Sequence, residues 1–290
     1  MAEPRKGTLL ITGASTGIGR ACALHFDRKG YRVFAGVRKQ ADAESLKKEA
    51  SDRLTPLMID VTDYESVARA AEFVGVAVGE SGLDGLVNNA GIAVSGPLEF
   101  LPLQRFEEQV KVNVFGTLAV TQAFLPLLRK AKGRIVNISS ESGRFALPLM
   151  APYAASKHAV EAMSDSLRVE LLPSGIKLVL IEPGSIKTSI WEKTDEASRK
   201  LRDEIPGSGR EIYKKELEML VKAADTARKN AIPVERVVKV VDRALSASWP
   251  RLRYTVGLEA ILLVYFLRFL PRRLVDRVLS FGIRNMGAWL

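Results

Sequence analysis

A chain of 290 residues with 47% hydrophobic and 26% charged residues has a globular composition and the length for one large α/β core. Its single cysteine, Cys22, excludes an intramolecular disulfide framework, and two histidines, His25 and His158, exclude a histidine-rich metal centre. The net charge of +10 suits nucleic acid, an anionic cofactor or a membrane surface, but half of it sits in residues 251–290 beside apolar residues and no nucleic-acid motif accompanies it, so no nucleic-acid partner is expected.

The amino terminus is polar up to its first apolar run and has no secretory h-region, which makes a cytoplasmic location the expectation. Short apolar, β-rich runs follow at Thr8–Ile11, Arg32–Val37, Thr55–Ile59, Gly85–Val87, Arg134–Ile138 and Lys177–Ile181, with helical periodicity between most of them. That alternation predicts an α/β fold: a Rossmann-type, doubly wound parallel sheet in a single domain spanning 1–257. Residues from about 189 to 230 are highly charged and helix-prone, and are expected to form a mobile flap over the carboxyl ends of the strands. Pro233 is expected to open a helix running to about Ala247. Residues 258–290 form an apolar and basic extension whose longest uncharged run, Ala260–Leu267, is too short to cross a bilayer.

The first strand is followed by Thr12-Gly13-Ala14-Ser15-Thr16-Gly17-Ile18-Gly19 and then a helical pattern. Glycines at a strand-to-helix turn let the backbone approach a pyrophosphate, whose charge meets the N–H groups and positive dipole end of the helix. Tyr153-Ala154-Ala155-Ser156-Lys157 places a phenol and an ammonium on one helical face at i and i+4, with Ser140 thirteen positions earlier at the end of a strand. A free phenol titrates near ~10, and a fixed cation beside it is expected to lower that value and make it a proton shuttle. Ser140 is expected to orient the substrate oxygen, while its neighbour Ser139 points to the opposite face of the strand.

Asp60-Val61 after the third strand, Asn88-Asn89-Ala90-Gly91 after the fourth and Pro183-Gly184 with Thr188 after the sixth complete an ordered set. Together with T-G-x-x-x-G-I-G and Tyr-x-x-x-Lys, this set resembles the short-chain dehydrogenase/reductase family over most of the chain. The resemblance implies an enzyme that moves a hydride between a nicotinamide cofactor and an alcohol or carbonyl carbon. It puts Gly13, Ser15, Thr16, Gly17, Ile18 and Gly19 at the pyrophosphate turn, Asp60 and Val61 at the adenine, and Asn88 to Gly91 along the cofactor, where that segment also steadies the sheet. Pro183, Gly184, Ile186 and Thr188 fall at the nicotinamide, Tyr153 and Lys157 touch both cofactor and substrate, and Asn113 holds a water linking the lysine to solvent. It also implies a homo-oligomer formed through the helices carrying Asn113 and Tyr153.

The second strand ends in Arg38-Lys39, cations suited to the 2′-phosphate of NADP, with Arg38 able to bind it bidentately; Thr16 stands where the family's other NADP signal would be basic, so NAD is the alternative. Ser51-Asp52-Arg53-Leu54, Gly143-Arg144, Ser164 to Arg168 and Arg251 to Gly257 are most similar to the retinol and hydroxysteroid dehydrogenase branch, which implies bulky apolar alcohols and ketones as substrates. Phe145, Ala146, Leu147, Leu149 and Met150 either wall an apolar pocket or pack beneath the flap. The tail mixes Ile261, Leu262, Phe266, Phe269, Leu270, Leu274, Val278, Leu279, Phe281 and Trp289 with arginines, a pattern open to peripheral membrane contact, a subunit interface or a cover for the site. The rival function is a noncatalytic, cofactor-binding regulator or scaffold, against which the intact Ser140, Tyr153, Lys157 and Asn113 speak.

Overall fold

The computed structural model describes residues 7–188, 204–266 and 270–284. Strand β1 (Thr8–Ile11) is buried along its whole length, as a strand covered on both faces must be. It leads into α1 (Gly17–Arg28), β2 (Arg32–Val37), α2 (Gln40–Glu49), β3 (Leu54–Met58) and α3 (Tyr64–Val78), the last capped by the Asp63 carboxylate, which accepts the N–H groups of Glu65 and Ser66. Beyond β4 (Gly85–Asn88), helix α4 (Leu103–Val110) passes through a π-helical stretch, Lys111–Gly116, into α5 (Thr117–Ala131). β5 (Arg134–Ile138), α6 (Ala151–Glu170) and β6 (Lys177–Pro183) follow. The described part of the expected flap is two helices, α7 (Gly207–Ile212) and α8 (Lys214–Asn230), while residues 189–203 of it lie outside the described residues. Then come α9 (Val234–Ser246), β7 (Arg253–Val256), α10 (Leu258–Phe266) and α11 (Arg272–Arg284).

All seven strands are parallel, in the order β3-β2-β1-β4-β5-β6-β7. The doubly wound sheet expected from the sequence is therefore present, with one strand more than its pattern announced. β7 reads only Arg-Tyr-Thr-Val, too short for a periodicity, and is fixed by pairing with β6 from Leu180↔Arg253 to Pro183↔Val256. Pro233 occupies the cap position of α9, one residue before its expected place.

Two apolar clusters lie on opposite faces of the sheet. One joins Phe26 of α1 to Val237 and Val241 of α9; the other joins Val74 of α3 to Phe124 and Leu128 of α5. The continuous Leu103–Ala131 run has the length and apolarity of a membrane span, but its buried Val120, Phe124 and Leu128 pack in this second cluster. The sequence order reverses between β1 and β4, and at such a switch point the loops leaving the carboxyl ends part to form a crevice.

Candidate active site

The crevice floor is the turn between β1 and α1. Gly13 (φ 64) and Gly17 (φ 59) take the left-handed conformation that side chains disfavour, and a Cβ at Gly19 would collide with Asn89 Nδ2 and the Gly13 carbonyl. Asn89 Nδ2 donates to the carbonyls of Thr12 (3.0 Å) and Gly13 (3.1 Å), and the Thr12 hydroxyl accepts the N–H groups of Asn89 (3.0 Å) and Ala90 (3.1 Å). These bonds weld the turn to the end of β4. Its geometry, a bare backbone turn opening onto the first residue of α1, fits a pyrophosphate. Thr188 stands over Gly17, and a cavity of about 770 Å³ beside the turn is lined by Ser15, Thr16, Gly17, Arg20, Lys187 and Thr188 among others.

Arg38 is exposed at the end of β2, where a ribose phosphate would be met, and its charge reaches Asp60. Burial opposes ionisation of Asp60, yet the Thr62 N–H and hydroxyl, with Arg38 and Lys111, hold its carboxyl below the usual range. Val61 is buried in the α3–α5 cluster. Asn88 takes the sheet-steadying part of the role implied for its segment: its Nδ2 donates to Thr121 Oγ1 and Asn137 Oδ1, both at 2.9 Å, so its amide turns into the sheet and ties β4 to β5 and α5. At the far end, Pro183 closes β6, Gly184 donates to the Val256 carbonyl (3.0 Å), and buried Ile186 bridges to Ile232.

Ser140, Tyr153 and Lys157 converge at the ends of β5 and α6. The hydroxyls of Ser140 and Tyr153 share a hydrogen bond, and the Ser140 Oγ also accepts the Ser142 N–H (3.2 Å). Ser139, as strand alternation requires, faces away toward Gly143 and Glu161. Lys157 Nζ donates to the Ile138 carbonyl (2.8 Å) and lies 5.8 Å from the centroid of the Tyr153 ring.

The electrostatics reverse one expectation. Burial pushes the Tyr153 phenol above its ordinary value, with Glu141 adding to the rise and Ser140 opposing it, although the nearby ammonium was expected to lower it. The reason is that loss of water around the phenol outweighs the neighbouring charge, and the same burial pulls Lys157 from 10.5 to about 8 against the attraction of Glu161. The result is a phenol kept in its neutral form.

Asn113 lies in the π-helical stretch, and such stretches turn side chains out of the α-helical register. Its Oδ1 accepts the Ile92 N–H (2.9 Å), and its Nδ2 donates to the Ile92 carbonyl (3.1 Å) and Ser156 Oγ (3.0 Å). Two residues of this network had no signal in the sequence: fully buried Gln109, bonded to Val94, Ile92 and Ser156, and Ser156, whose Oγ donates to the Tyr153 carbonyl (2.7 Å). They hold the loop after β4 against the helix bearing Tyr153. Of the proposed cleft wall, Phe145 and Leu149 are buried and Ala146 and Leu147 exposed; Leu149 has φ 64, a strained value for leucine. His158 is exposed and bonds within its own helix, while His25 binds Asp242 and also lines the cavity beside the turn.

A parallel sheet with a pyrophosphate turn at its switch point and a Ser–Tyr–Lys set beside it defines a dinucleotide-dependent oxidoreductase. The short chain dehydrogenase family model matches residues 7–199, and the chain belongs to that family. It is 38% identical over 282 residues to an NADPH-dependent 3-dehydrocapnine reductase of Ornithobacterium rhinotracheale, covering 96% of this chain and 97% of that protein. It is 40% identical over 275 residues to retinol dehydrogenase 7 of Mus musculus, covering 93% and 87%, in keeping with the branch its segments resemble. Among solved structures, a short chain dehydrogenase from Burkholderia cenocepacia in complex with NADP superimposes with a TM-score of 0.72 at 29% identity, covering 94% of this chain and 97% of that one.

Proposed function

We propose that this protein is an NADP-dependent reductase of bulky, apolar ketones or aldehydes, with Tyr153 as the proton donor. The observation that carries the reading is the Tyr153 phenol, half-buried near the start of α6 and hydrogen-bonded to Ser140, with Lys157 beside its ring. When bound, the nicotinamide supplies the hydride. The residues of this chain do the rest: Ser140 fixes the carbonyl oxygen, Tyr153 delivers a proton to that oxygen as negative charge builds on it, and Lys157, four residues along the same helix face, stabilises the phenolate left behind. Asn113, Gln109 and Ser156 fix the helix and the loop after β4 so that the hydroxyls stay aimed at one point. Arg38 at the end of β2 favours the 2′-phosphate, and the NADP named for two of the proteins above accords with it. Apolar Phe145, Leu147, Leu149 and Met150 on the loop before Tyr153 favour a lipophilic substrate, and α7 and α8 form the described part of a flap over it.

Loss of absorbance at the reduced-nicotinamide band with NADPH or NADH and a panel of retinoid, steroid and long-chain ketones tests this reading. NADPH-dependent turnover that falls about 10³-fold or more in Tyr153→Phe, with cofactor affinity retained, is expected. Cofactor binding without turnover on any carbonyl would return the noncatalytic reading to the front.

A further inference from the structure

We propose that Glu141 determines substrate choice in this cleft by binding a protonated amine that the substrate carries close to its reacting carbonyl. The inference rests on the reductase reading of the same site and adds a substrate class to it. Glu141 immediately follows Ser140 and opens the short turn Glu141–Gly143. Its Oε2 is shut off from solvent and has no hydrogen-bond partner. The backbone of Gly184, at the nicotinamide end of β6, passes so close that a Cβ there would lie 3.0 Å from that oxygen, and 3.0 Å from the Cβ of fully buried Ala260 on α10. The carboxyl therefore sits where the Ser140–Tyr153 pair, the exit of β6 and the tail helix meet, and its charge is felt by the Tyr153 phenol.

The titratable groups that face it are Tyr153 from α6 and Glu259 from α10; neither is a cation, and no ion pair to Glu141 is present among the described residues. In a chain with ten more positive than negative charges, an acid with no base among the described residues and a second acid beside it is an arrangement that a cationic ligand would complete. Burial, reinforced by Glu259, moves the carboxyl to about 7, so it ionises readily when a cation arrives. A hydroxyl would satisfy the neutral acid, but two acids of the same sign favour an ammonium. Glu141 adjoins Ser140 in sequence and its charge reaches the Tyr153 phenol, so a carbonyl at Ser140 and an amine at Glu141 belong to the same end of one ligand.

The test compares dodecylamine with dodecanol as ligands of the enzyme–NADPH complex by calorimetry, and kcat/KM for a long-chain ketone with and without an amino group on the carbon beside the carbonyl. At pH 7.5 the amine is expected to bind about 10-fold more tightly than the alcohol in the wild type, and the advantage to vanish in the near-isosteric Glu141→Gln but survive in Glu259→Gln. The amino-ketone preference should fall by a similar factor in Glu141→Gln, mostly through KM. In the wild type itself the preference should fade as the carboxyl protonates below neutral pH, a readout that needs no variant. Equal binding of amine and alcohol, or an advantage that persists in Glu141→Gln, would overturn the assignment. An amine preference that is lost in Glu141→Gln, without turnover of any ketone, would instead leave Glu141 as an amine site and sink the reductase reading.

Discussion

Burial acts on Tyr153 and Lys157 in opposite senses in charge but with one outcome, since each is driven toward its neutral form. For Lys157 the consequence is measurable: its ammonium is present below about pH 8 and is lost as pH rises through that value. Binding of a polyanionic cofactor should therefore weaken between pH 7 and 9 in the free enzyme, and fluorescence titration of NADPH should show the decline in the wild type and its absence in Lys157→Met. Arg38 belongs to the same scale. A charge-assisted bond to a phosphate contributes about 1.5–3 kcal/mol, so Arg38→Ala is expected to weaken NADPH binding roughly 10- to 100-fold and leave NADH nearly unchanged. Equal losses for both cofactors would show that Arg38 is no phosphate ligand. Ser140, Tyr153 and Lys157 were legible in the sequence because their spacing is itself the chemistry, an i, i+4 pair on a helix and a strand end thirteen residues before it. Gln109 and Ser156 were not, because a buried amide or hydroxyl carries no signal until the fold supplies its partners. The sign of the Tyr153 shift was misread for the same reason: sequence gives the neighbouring charge but not the loss of water.

The least legible element, β7, is also the one whose attachment is most ionic. Arg253 reaches Glu161 (2.9 Å) and Asp165 (2.7 Å) on α6 and Glu182 (3.5 Å) on β6, while Arg144 adds a longer contact to each glutamate at 3.9 Å. Glu161 and Glu182 are almost wholly buried, and each keeps one oxygen without a hydrogen bond. Burial raises the Glu182 carboxyl, Glu161 adds to the rise, and Thr255, Arg144 and Arg253 counter it. Removing Arg253 would leave two buried acids short of their main cation, a loss of about 3–5 kcal/mol for a broken buried pair. Arg253→Met should lower the urea midpoint accordingly, and the triple replacement Arg253→Met, Glu161→Leu, Glu182→Leu should recover much of it. If the single variant is as stable as the wild type, the network does not hold β7. The strands that were legible owe this to apolar runs, which in β1, β2, β4, β5 and β6 are almost wholly buried; β7 lies at the sheet edge, with three of its four residues only partly buried, and its sequence shows ion pairing instead of hydrophobic periodicity.

At the scale of the molecule, the two cores on either face of the sheet draw on residues up to Val256 of β7, and the carboxyl-terminal helices have a different surface. α10 buries Ala260 and Val264 but exposes Leu258 (78%), Leu262 (55%) and Tyr265 (52%), and α11 exposes Leu274 and Phe281; Phe269 and Trp289, expected to join this face, lie outside the described residues. The nine described residues of α10 span about 13.5 Å, under half of a ~30 Å hydrocarbon core, so contact with a bilayer through them would be along its surface. Arg273 and Arg277 on α11 would supply the attraction to anionic headgroups that apolar side chains alone lack. The geometry also brings the site to the surface that would meet lipid, since α10 packs against the turn that begins at Glu141. A lipophilic ketone would then enter from the bilayer without crossing water. The purified protein is expected to sediment with vesicles containing phosphatidylserine, to be released as salt is raised, and to bind at least about 10-fold more weakly as Leu262→Asp, Phe281→Asp. Vesicle binding unaffected by those substitutions would place the contact elsewhere. No binding, together with a dimer that the same substitutions dissociate, would show that a second copy of the chain covers this face.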